Sequence, residues 1–326
     1  MKKCIVTGGA GFIGSHLVEK LVKKNYSVIV IDDFSTGQLK NLKNVIGRIK
    51  VIKKDISDNK NFDQYFKNVK YVFHLAAKAD IVPSIEQPKK YFDTNVAGTL
   101  NVLEACRAHK VKKIIYAASS SSYGIAKEYP TTEKAKIDPE YPYAMTKYMG
   151  EELIIHWSKV YKLNYISLRL FNVYGLRART TGAYGAMFGV FLAQKLNNKP
   201  LTVVGNGKQS RDFTYVTDIA EAFYMAAISI RKNEVINIGT GKPTSVIDIV
   251  KKLKSKFEFI KKRPGEPDKT HSSTSKSKKL LNWTYRIGIS EGIMIMLKNI
   301  NLWKNAPIWT KSKINESTKT WFKYLK

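Results

Sequence analysis

Residues 3–14 read KCIVTGGAGFIG, and their reading decides the fold. Lys3 to Thr7 is a short apolar run, a glycine-studded turn follows, and from Phe12 to Lys24 the apolar residues recur at helical spacing. Residues 27–32 (SVIVID) are a second apolar run, so the order strand, turn, helix, strand makes one βαβ unit. Within the turn, Gly8, Gly11 and Gly14 fit G-x-x-G-x-x-G, while Gly9, Gly11 and Gly14 fit G-x-G-x-x-G. Without a Cβ the backbone can approach a pyrophosphate, and a helix beginning at Phe12 adds free N–H groups and the positive end of its dipole. The expectation is a dinucleotide site around Gly8, Gly11, Phe12, Ile13 and Gly14. A Walker loop is excluded, because no Gly-Lys-Ser/Thr follows.

Asp32 ends the second strand, where its carboxylate can accept hydrogen bonds from the adenosine ribose and would repel a 2′-phosphate. With Asp33 beside it and no arginine before Arg48, NAD is favoured over NADP. Asp55, after a third strand at 49–53, reads either as a partner for the adenine amino group or as a solvated loop carboxylate.

The alternation continues. Strands are expected at 70–75, 113–118 and 164–170, with helices from about 91 to 109 and from Pro142 to about Lys162. This predicts an α/β fold, a doubly wound parallel sheet of Rossmann type, with a smaller mixed α/β C-terminal substrate domain. The nucleotide domain is expected at 1–175 with about 213–238, the substrate domain at about 176–212 and 239–326. Near the C-terminus, Thr310 is a candidate N-cap for one terminal helix carrying Ile314, Ser317, Thr318, Trp321, Phe322 and Leu325 on one face, which predicts docking on the chain itself.

The glycines after Thr7 interrupt any signal-peptide core, and no run approaches the ~18 apolar residues of a membrane span. Cys4 and Cys106 read as buried thiols, and the chain is expected in the cytoplasm. The net charge of +30 raises the question of a polyanion partner, but only nine of the 56 basic residues are arginines and the lysines are scattered. A lysine-rich surface without specific nucleic-acid binding is the expectation. Arg177, Arg179, Arg211 and Arg263 stand near glycines and prolines, where forked guanidinium groups could hold a diphosphate.

YAMTK, residues 143–147, places Tyr143 and Lys147 four apart, hence on one helix face. Chance would give roughly two or three such pairs here, so context must decide. Pro142 fits the first helical position, and the helix follows the strand that ends in the serine run 119–122. Met145, Met149, Leu153, Trp157 and Val160 form an apolar stripe on the opposite face, for packing against the sheet or a second subunit.

TGGAGFIG, Asp32, HLAA (74–77), Asn95, the serine run, YAMTK, RLFNVYG (169–175), RDF (211–213) and RPGEP (263–267) occur in that order. Together they resemble the extended short-chain dehydrogenase/reductase family of nucleotide-sugar enzymes, over about residues 1–290. The resemblance implies a cofactor surface that also takes in Asp33, Ile56, Leu75, Ala76 and Ala77, with Asn95 helping to place NAD and Lys147 holding its nicotinamide ribose. It implies Tyr143 as the base, aided by a nearby ammonium and the cofactor's charge, and Ser119 as the hydroxyl sharing its proton. Asn172, Arg211 and Arg263 would lie along the substrate's diphosphate, and a homodimer would form through helices including 142–162.

In this family the two positions after Ser119 separate reaction types: 4,6-dehydratases resembling this chain carry Asp-Glu there, and decarboxylating relatives keep the Glu. Here they are Ser120 and Ser121. An alcohol cannot supply the acid that an elimination requires, so a 4-keto sugar has no next step except return of hydride. That predicts 4-epimerisation of a UDP-hexose, with Ser121 as an auxiliary hydroxyl and Ser120 and Ser122 structural. UDP-glucose/UDP-galactose is the first expectation. Thr270, where strict glucose enzymes have a tyrosine, opens the N-acetylated pair, and Arg177 or Arg179 opens a uronate. A non-catalytic NAD-sensing or polyanion-binding protein is the alternative of another class.

Overall fold

The computed structural model describes residues 1–178 and 187–325. Seven parallel strands form the central sheet: β1 (Lys2–Thr7), β2 (Tyr26–Asp32), β3 (Ile49–Lys53), β4 (Tyr71–His74), β5 (Lys113–Ser119), β6 (Tyr165–Leu170) and β7 (Glu234–Ile238). Their spatial order is β7-β6-β5-β4-β1-β2-β3. The winding reverses between β1 and β4, where Thr7 pairs with His74, and a crevice opens at the carboxyl ends of strands at such a switch point. This is the doubly wound, Rossmann-type sheet that the alternation predicted.

Both faces are covered, because alternate residues of each strand point to opposite sides. Cys4, Val6, Val28, Val30 and Phe73 meet Leu17, Val18 and Leu21 of α1 (Phe12–Lys23) on one face. Ile5, Ile29, Val72 and Ile114 meet Val102, Leu103 and Cys106 of α2 (Gly98–Ala108) on the other, together with Ile154 of α3 (Pro142–Tyr161). Helix α4 (Val216–Ile228) adds Ile219, Phe223 and Ala226 to the first face and leads into β7. A third cluster joins Tyr174, Phe191, Leu201, Val216, Ile249, Met296 and Trp303, with Phe12 and Ile13 packed against it. The start of α1 therefore touches both the sheet and the C-terminal part of the chain. Both cysteines are buried and free, and burial raises their thiols well above the ordinary range. Among the described residues no helix is long and apolar enough to cross a membrane.

Three expectations are refined. The helix expected at 91–109 begins as Pro88–Phe92, widens into a π-helical turn over Asp93–Ala97, and continues as α2. The single terminal helix is two, Lys311–Ser317 and Lys319–Tyr324, broken at Thr318; Thr310 does cap the first, and Trp321 is fully buried. On α3 the sheet-facing positions are Ala144, Lys147, Gly150, Glu151, Ile154 and Ser158, whereas Met145 and Val160 of the apolar stripe are exposed.

Candidate active site

The glycine turn and the ends of β1, β2 and β4 enclose a cavity of about 260 Å³. Gly8, Gly11, Phe12, Ile13, Gly14, Asp32, Asp33, Asp55, Ile56, Leu75, Ala76 and Ala77 all line it. The glycines are required sterically. Gly8 has φ +69°, and a Cβ there would lie 2.7 Å from the Ala76 nitrogen; one at Gly14 would collide with the Gly8 carbonyl. Gly11 starts α1 without a side-chain cap, which leaves the first N–H groups of the helix for an anion. A narrow cavity with a bare helix terminus at one wall and a buried carboxylate at another fits a dinucleotide.

Asp32 has more than one task. Its Oδ2 accepts from the Ala10 N–H at 2.9 Å and its Oδ1 from the Phe34 N–H at 2.9 Å, so it ties the glycine turn to the loop after β2. Each oxygen keeps a second lone pair for a ligand. Burial raises its pKa, and the two backbone bonds oppose the shift. Asp55 likewise accepts from the N–H and hydroxyl of Ser57, both at 2.8 Å, while still lining the cavity. Lys54 also lines the cavity and was not anticipated, but its Nζ is committed to Asp58 and to the Lys60 carbonyl.

The HLAA segment is held from below by a buried relay. Thr7 Oγ1 accepts from the Leu75 and Ala76 N–H groups, so its proton goes to His74 Nδ1 at 2.7 Å. His74 Nε2 is then the protonated nitrogen and donates to Thr99 Oγ1 at 2.9 Å, and Thr99 donates to the Asn95 carbonyl. Burial, with the nearby Lys147 charge, brings His74 down to about 3, which keeps the ring neutral and the relay intact. Asn95 does not line the cavity. Its side chain accepts from Lys78 N–H and donates to the Lys78 carbonyl and to Thr146 Oγ1, so it joins the loop after β4 to α3. The resemblance to known relatives implied a more direct contact.

At the end of β5, Tyr143 Oη donates to Ser119 Oγ at 3.4 Å, and Ser119 Oγ lies 2.7 Å from Ser121 Oγ. Ser122 is buried and donates to the Ser119 carbonyl at 2.8 Å. Lys147 is 4 % exposed, with Nζ over the Tyr116 ring at 4.1 Å. Burial lowers its pKa from 10.5 to about 7, against the pull of Glu151 one turn on, which is itself paired with Arg169. At Tyr143 burial raises the pKa and the Asp80 charge adds to this, while hydrogen bonding to Ser119 and Ser121 works the other way.

Asp80 and Tyr141 were missed by the sequence reading. Asp80 lines the first cavity. Tyr141 stacks on Tyr143, with ring centroids 6.3 Å apart and planes at 10°. The charges of Glu266 and Arg211 act on Tyr141, and these two residues line a second cavity of about 450 Å³ with Gly205, Gln209 and Asp268. A periodicity search had no reason to single out a tyrosine before the YAMTK helix.

Of the substrate residues, Arg211 is at the second cavity and donates to the Ser210 carbonyl at 3.0 Å, and Arg263 pairs with Glu266 at 3.1 Å. Thr270 Oγ1 donates to Asn172 Oδ1 at 2.9 Å and accepts from the Asp212 N–H. Beneath them, Asp212 accepts five hydrogen bonds, from Thr240 (N–H and hydroxyl), Gly241 N–H and Ser272 (N–H and hydroxyl). Arg177 pairs with Glu19 of α1 at 2.6 Å. Arg179 lies outside the described residues. Among the described residues no His, Cys, Asp and Glu group could hold a metal.

A dinucleotide cavity at the switch point, together with a serine at the end of β5 and a tyrosine and a lysine on the first turns of α3, defines an enzyme of the extended short-chain dehydrogenase/reductase class. The chain belongs to the NAD-dependent epimerase/dehydratase family, whose profile matches residues 4–239, and NAD is its cofactor. It is similar to the putative UDP-glucose 4-epimerase of Methanocaldococcus jannaschii, 39 % identical over 298 residues, covering 89 % of this chain and 95 % of that one. Among solved structures it resembles the UDP-N-acetylglucosamine 4-epimerase of Methanobrevibacter ruminantium M1 in complex with UDP-N-acetylmuramic acid, at TM-score 0.86 and 31 % identity over 91 % of this chain and 99 % of that one. It also resembles the UDP-glucuronic acid 4-epimerase of Bacillus cereus in complex with UDP-glucuronic acid and NAD, at TM-score 0.84 and 34 % identity over 92 % of this chain and 99 % of that one.

Proposed function

We propose that the chain is a UDP-hexose 4-epimerase acting on UDP-glucose and UDP-galactose. The observation that carries this reading is the hydroxyl cluster of Tyr143, Ser119 and Ser121, with alcohols where dehydratases of the family have two carboxyl groups. NAD bound in the first cavity supplies a hydride acceptor at carbon 4 that can also give the hydride back. Tyr143 takes the proton of the 4-hydroxyl through Ser119 as the hydride leaves the same carbon, and returns it when hydride comes back to the opposite face. Lys147 orients the cofactor's ribose beside Tyr143. Arg211 and Arg263 hold the diphosphate, and the segments 176–212 and 239–326 carry the sugar nucleotide. A homodimer through α3 is supported by the exposure of Met145 and Val160.

A second reading, the N-acetylated pair, is favoured by Thr270, whose small side chain is already held by Asn172. The test is incubation of the purified protein with UDP-glucose, UDP-GlcNAc and UDP-glucuronate in turn, without added NAD, with products identified by NMR. The proposal expects the galactose epimer from UDP-glucose. Turnover of only one of the other two substrates assigns that sugar instead, and loss of the carboxyl or of the 6-hydroxyl refutes epimerisation.

A further inference from the structure

The C-terminal segment bridges two parts of the chain that flank the candidate site in sequence, the helix after Asp80 and the segment 261–266. Trp321 is fully buried, and its Nε1–H donates to the Pro264 carbonyl at 2.7 Å. The Arg263 guanidinium lies over the same ring, 5.6 Å from its centre, and Lys261 lies over Phe322 at 4.8 Å. On the other side, the helix Lys319–Tyr324 packs against the helix Ile81–Glu86, and Thr320 Oγ1 donates to Glu86 Oε1 at 2.8 Å. That second helix follows directly on Asp80, which lines the cofactor cavity and whose charge reaches Tyr143. One short helix therefore fastens the loop after β4 to the segment bearing Arg263.

We propose that residues 310–325 form a strap joining the helix after Asp80 to the segment bearing Arg263 and that Trp321 is a positioning residue for Arg263, setting affinity for the diphosphate of the sugar nucleotide. The inference rests on the reading of Arg263 given above. A guanidinium on a flexible side chain loses rotamer freedom when it captures an anion. Stacked on a fixed indole and paired with Glu266, Arg263 has lost much of that freedom beforehand. The strap thus acts on binding rather than on hydride transfer.

The test measures UDP affinity by titration calorimetry and steady-state kinetics on the NAD-loaded full chain. Trp321→Leu removes both the stack and the hydrogen bond, and should raise the UDP Kd and the substrate KM about tenfold, with kcat and bound NAD within about twofold of wild type. In an Arg263→Ala background the same substitution should change Kd less than about twofold, because nothing is left to position. An unchanged Kd in the single variant, or an equal loss in both backgrounds, overturns the inference. Where Trp321→Leu does not fold, Trp321→Phe decides: about a threefold rise in Kd supports the strap, and no rise refutes it. Wild-type protein that binds no UDP sinks the sugar-nucleotide reading itself, which separates the two failures.

Discussion

Replacing Lys147 by methionine should make the nucleotide-free protein more stable while destroying its activity, and the gain should depend on pH. The side chain is buried, and its pKa falls from 10.5 to about 7 because the charged form is desolvated. At about 1.4 kcal/mol per unit, the ammonium costs the fold roughly 5 kcal/mol wherever both states carry it, that is, below about pH 7. Methionine fills a similar volume without a charge. Between about pH 7 and 10.4 the unfolded chain binds a proton that the folded chain does not, so wild-type stability rises with pH there. The variant's advantage must shrink over the same window, to about 2 kcal/mol or less by pH 9, and vanish above pH 10.4. Urea unfolding of both proteins, stripped of nucleotide, at pH 6.5, 8 and 9.5 measures the difference and cancels the other titrating groups. A difference that does not vary with pH, or a variant less stable at pH 6.5, refutes the burial argument.

Tyr143→Phe should lower turnover at least 10²-fold with bound NAD unchanged, read by single-turnover kinetics and absorbance; activity near wild type removes the phenol from the proton path. Gly14→Ala should cost NAD binding and several kcal/mol of stability, since its methyl collides with the Gly8 carbonyl rather than with a movable side chain, and calorimetry with thermal melting checks both. Asp80→Asn should keep the epimer as sole product and shift the rising limb of the rate profile, where Tyr143 loses its proton, to lower pH, because a charge that raises Tyr143 is gone; NMR of the products and a pH series of kcat report on it.

Six of the seven strands were legible because each is a short, mostly apolar run bounded by a turn, and the glycine cluster marked where the first βα turn must open. Twelve of the residues expected at the cofactor line one cavity, seven of them read from the glycine turn, Asp32 and Asp55 and five implied by the family resemblance. What stayed hidden depends on partners far apart in sequence. The ion pair of Arg177 with Glu19, on the first helix, has no signal in the sequence around either residue. Desolvation, which raises the pKa of Tyr143 and lowers that of Lys147, cannot be read from their spacing. The π-helical turn that brings Asn95 beneath Lys78 has no local signature, because widening by one residue is decided by the loop it must meet.

Asp212 gathers segments separated by about thirty and sixty residues onto one carboxylate, where a small secreted protein would use a disulfide. Arg211 is its chain neighbour, and Thr270 hangs on its own N–H. The loops that leave this knot and come back to it can therefore be lengthened, shortened or exchanged between relatives without dragging those two side chains along. On the reading proposed above, a fold pinned in this way takes on a new sugar by grafting the intervening turns, with Arg211 and Thr270 left where they are.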